Sequence, residues 1–222
     1  MKTLSTYLCL LALLISFSSQ AQVNLDSLWG VWNDKTQPDT NRLKAMNKIA
    51  WDGYLFSQPD SAFYFAQMQY DFALSVNNKR FMAHSISTQG VSFAIRGNYE
   101  KSLEYFLKTL EIRKEIDDKK GMGDSCNNIG NIYDDQGNYE KALEYHSKSL
   151  AINKEIGNKE GMGVSYNSIG FIYSNQGNYE KALAYYLKSL RITEELGDKN
   201  GIGDSYNNIG LIYSSRGNYE KA

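Results

Sequence analysis

The sequence predicts an all-α fold, a right-handed solenoid of antiparallel helical hairpins, and three observations carry that expectation. "GNYE" recurs at Gly97, Gly137, Gly177 and Gly217, 40 residues apart each time, and a fixed period of that size marks a stacked array of small units. Within each period apolar and small residues keep the spacing of one helix face: Cys126, Ile129, Gly130 and Tyr133 fall at i, i+3, i+4 and i+7, as do Tyr166, Ile169, Gly170 and Tyr173, then Tyr206, Ile209, Gly210 and Tyr213. Proline, with 2 among 222 residues, is too scarce to interrupt such helices.

The elements follow in chain order. Residues 1–21 read as a secretory signal peptide: Lys2, an apolar run from Leu8 to Phe17 of about ten residues, and a small-residue cut site ending in Ala21. That run is about half of the ~20 residues a spanning helix requires, so the chain is expected to be exported, with its repeats periplasmic or membrane-attached outside the cytoplasm. Cys9 leaves with the leader, so Cys126 alone remains and packing, not an intrachain disulfide, must hold the fold. Residues 22–42 form a lead-in or capping helix. Residues 43–82 hold a degenerate repeat in which "SQPDSA" replaces "GNYEKA", the atypical sequence expected of a terminal unit. Clear repeats occupy 83–122, 123–162 and 163–202, and 203–222 is the first half of another. A chain ending there leaves Tyr206, Ile209 and Tyr213 on an open face prone to self-association.

Inside one repeat, Gly137 breaks the chain and Asn138 caps a second helix, expected to run to about Ile156 over roughly 28 Å. "GNKEG" (Gly157–Gly161) turns the chain back, and "GMGDS" (Gly121–Ser125) is assigned to the same kind of turn between repeats. A glycine inside a helix costs about 1 kcal/mol relative to alanine, yet Gly90, Gly130, Gly170 and Gly210 hold one mid-helix position. Close approach of the two helices explains them. The recurring tyrosines belong to the core, and Lys141, Lys148, Lys181 and Lys188 to a solvated face.

"YNNIGLIYSSRGNYEKA" (Tyr206–Ala222), with its large residue, Ile-Gly pair, tyrosine and Gly-Asn-Tyr-Glu-Lys-Ala turn, resembles a tetratricopeptide repeat. The resemblance covers Leu43–Ala222. The 40-residue length, and Lys154 and Glu194 where a helix-ending proline is usual, make it similar to the long repeats of kinesin light chain and of the Leu-Gly-Asn-rich polarity adaptors. In such proteins the first helices line a concave groove, where asparagines hold the backbone of an extended peptide. The positions that match here are Asp124, Asn127, Asn128 and Asn131, then Asn167, Ser168 and Phe171, then Asn207, Asn208 and Leu211, with Val164, Asp204 and Val91 on the same stripe. A primary amide donates and accepts, so it pairs with a peptide unit of any sequence; Phe171, Leu211 and Val91 would read side chains. Some of these asparagines are equally able to bond across neighbouring repeats.

Composition narrows the rest. Lys and Arg total 24 against 25 Asp and Glu, interspersed along the chain, so no basic face suits a nucleic acid. His84, His146 and Cys126 are too few and too scattered for an active site, and Cys126 occupies the place that Tyr166 and Tyr206 take in sister repeats. "DDQGNYE" has adjacent rather than alternating acids and is not a calcium loop. The expectation is a scaffold without catalytic residues, metal or cofactor, binding a protein or an extended peptide and meeting membrane only through a downstream segment. Asp124 and Asp204 disfavour capture of a terminal carboxylate. The resemblance implies the exported sensing region of a bacterial signalling receptor or, alternatively, a free-standing periplasmic adaptor.

Overall fold

A computed structural model describes residues 24–218. The signal-peptide assignment and Tyr219–Ala222 lie outside the described residues. Among those described there are ten α-helices and no strand: α1 Leu25–Asn33, α2 Asp39–Lys48, α3 Pro59–Ser75, α4 Lys79–Ile95, α5 Tyr99–Glu115, α6 Lys119–Asp135, α7 Tyr139–Glu155, α8 Lys159–Asn175, α9 Tyr179–Leu196 and α10 Lys199–Ser215. A π-helical turn, Ile49–Tyr54, prolongs α2. Each helix packs mainly on its neighbours in sequence, with α6, α8 and α10 also meeting in turn, which is the contact pattern of a solenoid.

The joints explain the regularity. Asn77, Gly97, Asp117, Gly137, Gly157, Gly177 and Gly197 all have φ between 51° and 72°. Each is followed by an Asn or Asp whose side chain caps the next helix; Asn138 Oδ1, for example, accepts from Lys141 N at 3.2 Å. The outgoing helix closes in a Schellman motif: Asn138 N donates to Tyr133 O at 2.8 Å and Gly137 N to Asp134 O at 2.7 Å. The turn inside a hairpin and the turn between hairpins therefore share one chemistry and alternate every 20 residues.

This corrects two turn assignments. "GMGDS" lies wholly inside α6, and "GNKEG" turns only at Gly157-Asn158 before α8 begins at Lys159. The glycines that suggested loops are there to admit side chains. A Cβ on Gly121 would lie 2.7 Å from the Arg113 side chain, and one on Gly161 would lie 2.3 Å from Asn153 Oδ1.

The mid-helix glycines are also more specific than close helix approach. A Cβ on Gly90 would lie 2.9 Å from the Phe106 ring, on Gly130 2.8 Å from His146, and on Gly170 2.8 Å from Tyr186. One ring from each second helix lies flat over the first helix, and these three rings are 1–2% exposed. The core continues between hairpins, through Leu110 on α5 with Cys126, Ile129 and Ile132 on α6, and through Ala182 and Leu190 on α9 with Ile209 and Ile212 on α10. Ile209 is thus buried against α9, contrary to the open face expected of it, whereas Tyr206 is 57% exposed. The lysines are more than a solvated face: Lys141 lies 5.0 Å over Tyr133, Lys181 4.9 Å over Tyr173, Lys148 4.5 Å over Tyr145 and Lys188 4.7 Å over Tyr185.

A buried polar ladder ties the hairpins together. Ser85, Ser125, Ser165 and Ser205 occupy one position in successive first helices and are at most 2% exposed. Ser85 Oγ donates to Gln69 Oε1 at 2.8 Å, Arg113 Nη1 donates to Ser125 Oγ at 3.1 Å, and the Ser165 and Ser149 hydroxyls are 3.1 Å apart. At the other end of the chain α1 docks through Trp32, with Met46 and Ile49 beneath it.

Candidate peptide groove

The first helices α4, α6 and α8 stand side by side and bound a cavity of about 510 Å³. Its wall takes Ser87 and Thr88 from α4, Asp124, Asn127 and Asn128 from α6, and Val164 from α8. Trp51, on the π-helical turn, closes the N-terminal end, and Arg113 and Asn153 come up from the second helices. The structure therefore brings four of the expected stripe residues, Asp124, Asn127, Asn128 and Val164, into one concavity. Asn131, Asn167, Ser168, Phe171, Asp204, Asn207, Asn208 and Leu211 are not part of its wall. Phe171 (47% exposed) and Leu211 (58% exposed) are nevertheless open, as is Val164. Val91 is not: it packs against the core cluster of Phe106 and Ile129, so its assignment to the groove is corrected.

The amides divide into two sets. Asn127 Oδ1 accepts from His146 Nδ1 at 3.0 Å, which leaves the Asn127 amide nitrogen to donate elsewhere. Burial pushes His146 down to about 4, so the ring is neutral and Nδ1 carries the proton. Asn208 Nδ2 donates to Asn167 Oδ1 at 2.9 Å, a bond between α10 and α8. Asn127, Asn167 and Asn208 are thus held by structural partners, whereas Asn128, Asn131 and Asn207 have no side-chain hydrogen bond and can serve a ligand.

Charge in the cavity is mixed. Burial pushes the Asp124 carboxyl up, and Arg113 and Lys120 pull it back down. Arg113 is 4% exposed; besides Ser125 it donates to the Gly121 carbonyl, while its Nε is buried without a partner. Burial lowers Arg113, and burial together with Arg113 lowers His84. Sequence reading missed Arg113. The available signal was that sister repeats carry Asn153 and Thr193 at its position, so a cation there is out of pattern. Among the described residues no cluster of His, Cys, Asp and Glu is placed to hold a metal ion, and no helix is long and apolar enough to cross a membrane.

The tetratricopeptide repeat family model matches residues 81–155 and 161–222. The chain belongs to the tetratricopeptide repeat family. No curated protein sequence matches it significantly. Among solved structures the repeats are similar to BtubC (BKLC) from P. vanneervenii, at 15% identity and a TM-score of 0.73 over 89% of this chain and 82% of that one. They are similar to a Rap protein complexed with competence and sporulation factor, at 16% identity and a TM-score of 0.71 over 83% and 55%. The tetratricopeptide-sensor protein PH0952 from Pyrococcus horikoshii, a signal transduction ATPase with numerous domains, aligns at 22% identity and a TM-score of 0.67 over 81% of this chain and 28% of its own. These likenesses show the fold, and the tetratricopeptide repeat fold is a protein-interaction scaffold.

Proposed function

We propose that the groove holds an extended peptide segment of a partner protein, and that the chain is the exported sensing or interaction region of a larger bacterial signalling protein. The observation that carries the first part is the cavity walled by Asp124, Asn127 and Asn128 on α6 and by the open apolar Val164 on α8. The free amide of Asn128 in the cavity and that of Asn131 further along α6 supply sequence-independent hydrogen bonds, and Val164 in the cavity and Phe171 beyond it on α8 supply apolar contacts. The Rap complex, in which the same fold is seen with a bound factor, and the sensor role named for the Pyrococcus protein support the reading. The leader sequence at 1–21 supports export.

Peptides selected on the wild-type protein from a random displayed library provide the ligand for the test. Replacing Asn128 and Asn131 together with alanine should weaken those peptides about five- to hundredfold, two hydrogen bonds at roughly 0.5–1.5 kcal/mol each, with the melting temperature unchanged. Selected peptides that bind this variant and a Val164→Asp variant as tightly as wild type would exclude the groove.

A further inference from the structure

On the side of α6 turned away from the groove, a second cavity of about 390 Å³ opens between α5, α6 and α7. Met122 and Cys126 form its floor, Leu110 and Ile152 its apolar walls, and Tyr145, Lys114 and Lys148 stand around it. The next hairpin shows what such a space holds. There the residue one period after Cys126 is Tyr166, whose ring lies 6.1 Å from Tyr185, with Lys154 Nζ and Lys188 Nζ each 5.6 Å from its centre. Tyr185, Lys154 and Lys188 are the 40-residue counterparts of Tyr145, Lys114 and Lys148.

The surroundings are copied closely. Lys148 lies 4.5 Å over Tyr145 and Lys188 4.7 Å over Tyr185. Tyr145 stacks on Tyr133 at 5.7 Å, and Tyr185 stacks on Tyr173 at 5.7 Å. At the rim Leu107, Glu111 and Ala151 stand where the next hairpin has Ser147, Ala151 and Arg191, and in the middle the ring is missing: Cys126 is 3% exposed and too short to fill the place of a phenol. Burial raises its thiol, so the floor is neutral and apolar.

We propose that this cavity binds a small molecule bearing a single phenol-type ring, which takes the position that Tyr166 fills in the next repeat. The ring gains apolar burial against Leu110, Met122 and Ile152, and its face meets the ammonium groups of Lys114 and Lys148. A cavity of this volume is within the ordinary size of small-molecule sites. The site is separate from the peptide groove, and either assignment can fail without the other.

The probe is p-cresol, the side chain of tyrosine, titrated by calorimetry into the full chain, with the methyl resonances of Met122 and Ile152 followed in parallel. Saturable binding with shifts at those methyls is expected, and Asn128→Ala should leave it unchanged. Cys126→Tyr should fill the cavity, raise the melting temperature and weaken p-cresol at least tenfold. Cyclohexanol should bind at least fivefold more weakly than p-cresol, since it has no π face. Absence of methyl shifts at saturating p-cresol in the wild type overturns the site whatever the variant does, as does equal binding to wild type and a folded Cys126→Tyr. A capped Gly-Tyr-Gly peptide that bound as tightly as p-cresol would assign the cavity to a partner's side chain and overturn the small-molecule reading.

Discussion

The hairpins α6–α7 and α8–α9 are nearly the same object: 24 of 40 residues are identical between Gly123–Met162 and Gly163–Ile202, and the turns match atom for atom in their hydrogen bonds. Yet each fills the space over its mid-helix glycine differently. Over Gly170 lies Tyr186, whose phenol burial pushes up to about 12; over Gly130 lies His146, which burial pushes down to about 4. Both shifts favour the neutral ring. The histidine adds a ring nitrogen that reaches back to Asn127 and orients a groove amide. Beside it, cysteine in place of tyrosine leaves a cavity. Identity is concentrated where the backbone needs it, at the positive-φ turns and the small contact positions, and the differences include both exposed positions and the ring that covers the mid-helix glycine.

The largest expected consequence is a pH dependence that His146 gives the first of these hairpins. Free histidine titrates at 6.5 and His146 in the fold at about 4. Between those values the unfolded chain takes up a proton that the folded chain refuses. The stabilising contribution of the neutral ring is therefore whole above pH 6.5 and is lost as pH falls toward 4, by roughly 3 kcal/mol. Phe106 already fills the same place over Gly90, so His146→Phe should fold and melt with a shallower acid slope. Thermal melts of the two proteins across pH 4–7 check this, and equal slopes would place the titration elsewhere.

Next in size are the glycines themselves. Gly170→Ala should cost about 1–3 kcal/mol through overpacking, despite the helix preference of alanine. The new methyl would meet the Tyr186 ring and also the Ala182 carbonyl at 3.3 Å. At Gly130 the nearest atoms belong to the smaller imidazole, and alanine there should cost less. Equal losses in calorimetry would contradict the difference drawn between the two rings.

Caps should show no difference at all. Asn138 and Asn178 each accept from the backbone three residues on, at 3.2 Å, so alanine at either should cost about 1 kcal/mol, measurable as matched shifts of the melting temperature. Smallest of all are the exposed pairs Lys119–Glu155 and Lys159–Glu195, each of which joins the two helices of one hairpin. Solvent screens them, and Lys119→Ala or Lys159→Ala should leave the melting temperature unmoved within error.

The period, the hairpins and the packed stripe were legible because each repeat restates the same local code, and a mistake in one copy is corrected by the next. The turns between repeats were misplaced because Gly121 and Gly161 look like punctuation, whereas they make room for Arg113 and Asn153. Glycine in sequence does not say whether it serves a backbone angle or a neighbour's side chain. The asparagine stripe was legible as a face but not as a division of labour: that Asn127 bonds His146 and Asn167 bonds Asn208 depends on contacts 19 and 41 residues away. The serine ladder recurred in plain sight, but short hydroxyls at helical spacing carry no mark of burial until the facing helix is known.

The shared joint has a mechanical consequence. From α3 onward every turn satisfies its own backbone groups through a left-handed residue and an Asn or Asp cap, so a hairpin torn away leaves the joint beneath it intact. Under tension the chain should yield from its ends in equal steps, each releasing up to about 130–145 Å of contour for one 40-residue unit. Between such events the array behaves as a spring of equal coils, able to stretch without losing the register in which its hairpins stack.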